Sequence, residues 1–128
     1  MHSLNAYLVE DNPLIRKELV ATLEELAGVN VVGWASGESA AVGWLANAEH
    51  DPALVIVDLF LEEGSGMGVL RAMHQRVKPL RTVVLSNYAT PEVRQRCMEL
   101  GADRVFDKSG DIEDLLNYCR ETAASLPA

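Results

Sequence analysis

Ala53-Leu54-Val55-Ile56-Val57-Asp58 is a run of apolar residues closed by a carboxylate. A continuous apolar run this short is expected of a strand covered on both faces, as in the centre of a parallel sheet. Three other runs end in a comparable way. Ala6-Tyr7-Leu8-Val9 leads into Glu10-Asp11, Thr82-Val83-Val84-Leu85 into Ser86, and Arg104-Val105-Phe106 into Asp107-Lys108. Each run thus delivers a charged or reactive group at its carboxyl end, the edge of an open α/β sheet where ligands bind.

Helical patterns fill the intervals. Asn12-Pro13 is a cap followed by proline at the first helical position, and Ile15, Leu19, Leu23 and Leu26 form an apolar stripe that stops at Gly28. Val29–Ala35, with Gly33 inside it, reads as a further strand. Ser36-Gly37-Glu38-Ser39 opens a second helix carrying Ala41, Trp44, Leu45 and Ala48, which stops before His50-Asp51-Pro52. Ser65 caps a third helix with Met67, Leu70, Met73 and Val77 inward. Thr90-Pro91-Glu92 opens a fourth with Val93, Cys97 and Leu100, and Asp111 caps a fifth with Ile112, Leu115, Leu116 and Cys119. Strand and helix alternate five times with short connections. The fold class expected is therefore α/β, a (βα)₅ doubly wound parallel sheet with helices on both faces.

A chain of 128 residues, 48% hydrophobic, is expected to form one domain over residues 1–128. Its formal net charge of −8 argues against binding nucleic acid or anionic membranes, which both need basic patches. No apolar run approaches the roughly 18 residues that span a bilayer, and the start Met1-His2-Ser3 carries no basic leader, so a cytoplasmic location is expected. Cys97 and Cys119 lie in helical segments without metal-ligand spacing and read as buried thiols. His2, His50 and His74 read as surface or loop residues, and Trp34 and Trp44 as packing groups.

The chain resembles the receiver domains of bacterial two-component response regulators along essentially its whole length. The resemblance is carried by Glu10-Asp11, by Asp58-Leu59-Phe60-Leu61 with Gly66 eight residues after the aspartate, and by Ser86, Gly101-Ala102 and Lys108. It implies the flavodoxin-like strand order 2-1-3-4-5, which sets the first and third strands side by side and gathers Glu10, Asp11 and Asp58. Carboxylates so gathered repel unless a cation sits among them, and oxygen-only ligands suit a hard divalent ion such as Mg²⁺. The resemblance further implies Mg²⁺ held by Asp11, Asp58 and the backbone carbonyl of Phe60, with Glu10 acting through water. Asp58 would be the phosphoacceptor, and Lys108 and Ser86 would bind the phosphoryl group. The implied partners are a sensor histidine kinase or phosphotransfer protein, and a downstream protein or fused output domain. A homodimer is left open.

Several positions depart from the family pattern. Glu62, followed by Glu63, stands where proline is usual four residues after the phosphoacceptor. These acids would repel anionic donors or tighten metal binding indirectly. Ser109 replaces the proline that commonly follows the lysine in a cis peptide. Without proline a cis bond costs about 2.5–4 kcal/mol, so a trans loop is at least as good an expectation. Val105 replaces the usual aromatic switch residue, and strand alternation turns Phe106 to the opposite face. Activation would then run through loop 87–91 and helix 91–100, changing a surface made by residues 91–100, Val105 and 112–123. Asn87 is bulkier than the small residue common after the hydroxyl position. Two other classes fit parts of the sequence. A metal-dependent phosphatase would need a second acid–base aspartate at position 60, which is Phe. A pseudo-receiver, binding partners without taking phosphate, is disfavoured by the intact acidic, hydroxyl and lysine positions.

Overall fold

The computed structural model describes residues 3–76 and 80–126. Val77, expected on the inner face of the third helix, and His2 lie outside the described residues. The elements alternate as β1 (Leu4–Val9), α1 (Pro13–Leu26), β2 (Val29–Ala35), α2 (Glu38–Ala46), β3 (Leu54–Val57), α3 (Gly66–Met73), β4 (Arg81–Ser86), α4 (Pro91–Glu99), β5 (Arg104–Asp107) and α5 (Ile112–Ala124). The strands form one parallel sheet in the order β2-β1-β3-β4-β5. This is the expected order, and it places β1 beside β3.

Alternation along each strand sorts the core into two layers. Leu4, Ala6 and Leu8 of β1, Leu54 and Ile56 of β3, Val83 and Leu85 of β4, and Phe106 of β5 face one side. There they meet Leu19 and Leu23 of α1 and Leu115, Leu116 and Cys119 of α5. Tyr7, Val9, Val55, Val57, Val84 and Val105 face the other side, against Ala41 and Leu45 of α2, Val69, Leu70 and Met73 of α3, and Cys97 of α4. All four residues of β3 are buried, which accounts for its unbroken apolar run. Val105 and Phe106 fall on opposite faces, as alternation required.

Gly33 marks an irregularity. The β1–β2 register slips between Ala6 and Tyr7, and a Cβ at position 33 would lie 3.1 Å from the Tyr7 ring and 3.5 Å from Trp44. The missing side chain admits an aromatic column in which Trp44 stacks on Tyr7 (centroids 4.0 Å) and on His50 (3.9 Å). Trp44 is thus a packing group, and His50 Nδ1 lies 2.7 Å from the Trp44 carbonyl oxygen.

Some sequence expectations shift. β1 starts two residues earlier than its apolar run, and Ala48 lies beyond the end of α2. Asn12, Ser65 and Thr90 cap their helices as expected, through side chains that accept from backbone N–H groups. Asp111 stands at the N-cap of α5 but caps nothing there. Its carboxylate is drawn backwards, accepting from Asp107 N (2.9 Å) and from Arg94 Nη2 (3.3 Å). A nearby guanidinium and a strand-end N–H outcompete the helix's own first turn for the same oxygen.

Candidate functional site

The carboxyl ends of β1, β3, β4 and β5 lie side by side, and the charged residues there form one cleft. Glu10 N donates to Ala35 O (3.0 Å), Asp58 N to Val9 O (3.0 Å) and Lys108 N to Ser86 O (3.0 Å), so the sheet ladder runs one step past the strands and fixes the residues that follow. Glu10 and Asp58 are buried, Asp11 half-buried, and Ser86 fully enclosed. Glu10, Asp11 and Asp58 each offer a carboxylate oxygen, all within 4.8 Å of one another.

Lys108 occupies the middle of this negative field. Its Nζ donates to Glu10 Oε1 at 2.6 Å and to Asp58 Oδ2 at 2.9 Å, with 12% of its side chain exposed. Burial opposes the ammonium charge, but the hydrogen bonds to Glu10 and Asp58, and their charges, outweigh it and raise the lysine above its ordinary pKa. The second oxygen of each carboxylate is also engaged. Asn12 N donates to Glu10 Oε2 (3.2 Å) and Phe60 N to Asp58 Oδ1 (3.3 Å). Ser86 Oγ accepts from Tyr88 N (3.1 Å), which leaves the hydroxyl proton available to another acceptor.

This donor set suits a hard divalent ion. It is built only of oxygens, and one ammonium against three carboxylates leaves negative charge for a second cation to balance. Nitrogen and sulfur ligands that would favour a softer metal are missing from the cluster.

Ser109 shapes the loop that carries Lys108. No cis peptide occurs among the described residues, so Lys108–Ser109 is trans. Ser109 donates both its N–H (2.7 Å) and its hydroxyl (2.5 Å) to Asp107 Oδ1, a tight local turn that stands where proline is usual. Those bonds hold the Asp107 carboxyl below its ordinary pKa.

Several side-chain contacts around the site are not readable from the sequence. Arg16 reaches back from α1 to donate from Nη1 to the Glu10 carbonyl (2.9 Å) while its guanidinium lies 3.6 Å over the Trp34 ring. Trp34 is therefore more than packing. Tyr88 and Phe60, both mostly exposed, meet edge to face at 4.9 Å beside the cleft. Arg94 donates to the carbonyls of Ala89 (2.9 Å) and Val105 (2.8 Å) and to Asp111, tying α4 to the strand position that lacks the aromatic residue. Glu63 is committed to the start of α2, accepting from Ser39 N (2.9 Å) and Ser39 Oγ (3.1 Å). Glu62 and Asn87 are exposed.

Comparison with known proteins bears on the family resemblance. A family model described as the response regulator receiver domain matches residues 6–120. The photosynthetic apparatus regulatory protein RegA of Rhodobacter capsulatus is 26% identical over 120 residues, covering 94% of this chain and 63% of its own length. The response regulator UvrY of Escherichia coli K12 is 24% identical over 117 residues, covering 91% and 53% respectively. The chain thus spans less than two thirds of the length of these relatives. A two-component response regulator of the LuxR family from Aurantimonas sp. SI85-9A1 superposes with a TM-score of 0.84 at 23% identity, over 95% of this chain and 86% of that one.

Proposed function

The chain belongs to the response regulator receiver domain family, and from that membership we propose that its cleft accepts a phosphoryl group on Asp58 with Mg²⁺ bound beside it. The observation that carries this reading is Lys108 Nζ shared between Glu10 and Asp58 within a cluster of three carboxylates. A structural ion pair would need one acid. Three acids and a buried lysine make a site for a second cation and for the anion that cation brings.

Asp11, Asp58 and the Phe60 carbonyl would hold the ion, with Glu10 acting through water. Bound there, Mg²⁺ would supply charge neutralisation on the phosphoryl oxygens. An Asp58 carboxylate oxygen attacks phosphorus, and the O–P bond forms as the P–N bond of a phosphohistidine donor breaks. The electron pair returns to the imidazole nitrogen. Lys108 then exchanges part of its contact with Glu10 and Asp58 for a phosphoryl oxygen, and the Ser86 hydroxyl donates to another. The donor is a sensor histidine kinase or a phosphotransfer protein. The recipient of the signal is a downstream protein or an output domain on the same polypeptide. The chain catalyses only its own phosphorylation and dephosphorylation, in the cytoplasm. No helix among the described residues is long and apolar enough to cross a membrane.

The test is intact-protein mass after incubation with Mg²⁺ and a small acyl-phosphate donor. One phosphoryl group added to the wild type and none to Asp58→Asn is the expected result. An adduct that survives Asp58→Asn would remove Asp58 from the role. No adduct in the wild type, from either the small donor or a phosphorylated histidine kinase, would favour a partner-binding module that takes no phosphate.

A further inference from the structure

Glu62-Glu63 occupies the place where a proline would stiffen the loop between Asp58 and α3, and the structure shows a different device there. We propose that Glu63 and Glu38 are positioning residues for the metal. By exchanging hydrogen-bond acceptors between α2 and the 59–65 loop, they fix the loop that presents the Phe60 carbonyl. This inference rests on the reading of the cleft as a Mg²⁺ site.

Four bonds make the exchange. Glu38 N donates to the Glu63 carbonyl (2.9 Å), and Ser39 N and Ser39 Oγ donate to the two Glu63 carboxylate oxygens (2.9 and 3.1 Å). In return Ser65 N donates to Glu38 Oε1 (2.9 Å). Gly37, the N-cap of α2, has no side chain to cap with. Glu63 therefore satisfies first-turn N–H groups that the local sequence leaves open, and its charge suits the helix N-terminus.

The glycines of this segment are matched to the interlock. Gly64 holds φ +73°, and a Cβ there would fall 2.4 Å from Glu38 Cβ. One at Gly68 would fall 2.3 Å from the Glu38 carboxylate. At the inner end of the loop, Gly66 N donates to Leu59 O (3.0 Å), and Phe60 pairs with Ser65 in an isolated antiparallel bridge. Phe60 N itself has only a long bond, 3.3 Å, to Asp58. Phe60 is thus located through Ser65, and Ser65 through Glu38. Each bond is weak alone, but four on one short loop restrain it together.

The experiment is calorimetric titration of the full chain with Mg²⁺ alone, with a urea unfolding curve for each variant. Glu63→Ala is expected to weaken Mg²⁺ binding about tenfold, the scale of losing an outer-shell partner. Glu63→Gln is expected to stay within about twofold of wild type, because the amide can accept from Ser39 N and donate to Ser39 Oγ. Glu62→Gln, a neighbouring charge outside the interlock, should match wild type. Ser39→Ala, which deletes one bond, should show a smaller loss in the same direction and stands in if Glu63→Ala does not fold. Unchanged affinity in folded Glu63→Ala or in Ser39→Ala would overturn the proposal. Equal losses in Glu63→Gln and Glu63→Ala would also overturn it, by assigning the effect to charge. A wild type that binds no Mg²⁺ would overturn the cleft reading and the proposal with it.

Discussion

Replacing Gly66 with alanine should destabilise this protein, although the same exchange at Gly43 should not. Gly66 is the first residue of α3, and a Cβ there would lie 2.2 Å from the Asp58 carbonyl oxygen and 2.7 Å from Leu59 Cα. Ordinary contact begins near 3.4 Å, so α3 or the Asp58 backbone must retreat by more than 1 Å, judged from those two distances. Neither is the free end of a side chain. Asp58 is held by the sheet through Val9 O, and Gly66 N is held by Leu59 O. Overpacking of this kind costs about 1–3 kcal/mol, more than the few tenths to ~1 kcal/mol by which alanine improves a helix over glycine. Gly43, exposed in α2 with nothing within 4 Å of its would-be Cβ, carries no such cost. Gly43→Ala should stabilise by about 0.5–1 kcal/mol. Gly68→Ala falls between, because the atoms it meets are the end of a side chain, Glu38, which can shift only at the expense of its bond from Ser65 N. Urea unfolding followed by circular dichroism gives all three values on one scale. Gly66→Ala should also slow phosphorylation, since the backbone that moves is that of the phosphoacceptor. A Gly66→Ala variant as stable as Gly43→Ala would refute the reasoning.

Burial pushes the Tyr7 phenol up from 10.0 to about 12. Because the folded chain holds this proton more tightly, stability is full below the unfolded pKa of 10.0. Over the two units above it, about 2–3 kcal/mol is lost as pH rises. Lys108, which burial lowers but its bonds and charge pairing with Glu10 and Asp58 raise on balance, adds a loss of the same sign as pH rises. Tyr7→Phe isolates the phenol, and its urea midpoint should fall less than wild type's between about pH 9 and pH 11; equal falls would contradict the assignment. Lys108→Met leaves Glu10 and Asp58 facing each other without a cation, and should cost on the order of 2–3 kcal/mol at pH 7 in chelator, partly restored by saturating Mg²⁺. A variant as stable as wild type in chelator would show that the ion pair carries little. Arg94→Met removes the donor shared by Ala89, Val105 and Asp111, and should cost about 1 kcal/mol. It should also speed amide exchange at Asp107, whose N–H bonds the same Asp111 oxygen; unchanged exchange there would count against the coupling.

The fold was legible because it rests on local signals. Unbroken apolar strands, capped helices with proline at the first position, and alternation across β5 are all written within a few residues of where they act. The acidic cleft was legible once strand order placed β1 beside β3. What escaped depends on partners distant in sequence. Glu63 reads as a loose acid until Ser39, 24 positions away, is brought to it. Asp111 reads as a cap until Arg94, 17 positions away, competes for its oxygen. Arg16 carried a usable signal, since it lies six residues after Glu10 across a helix start, within reach of a long side chain folding back. Gly37 carried another, because a helix opening on a glycine leaves its first N–H groups to be satisfied from outside.

The two tryptophans divide the labour of reporting on this protein. Trp44 lies sandwiched between Tyr7 and His50, so its emission tracks whether the α2 side of the fold is intact. Trp34 is 54% exposed under a guanidinium whose other contact is the Glu10 carbonyl. A displacement of the Glu10 carbonyl that keeps its bond from Arg16 would shift the guanidinium over that indole. The chain thus places one indole beside the cleft, through Arg16, and a second within the α2 packing, where their fluorescence would be expected to report on different parts of the fold.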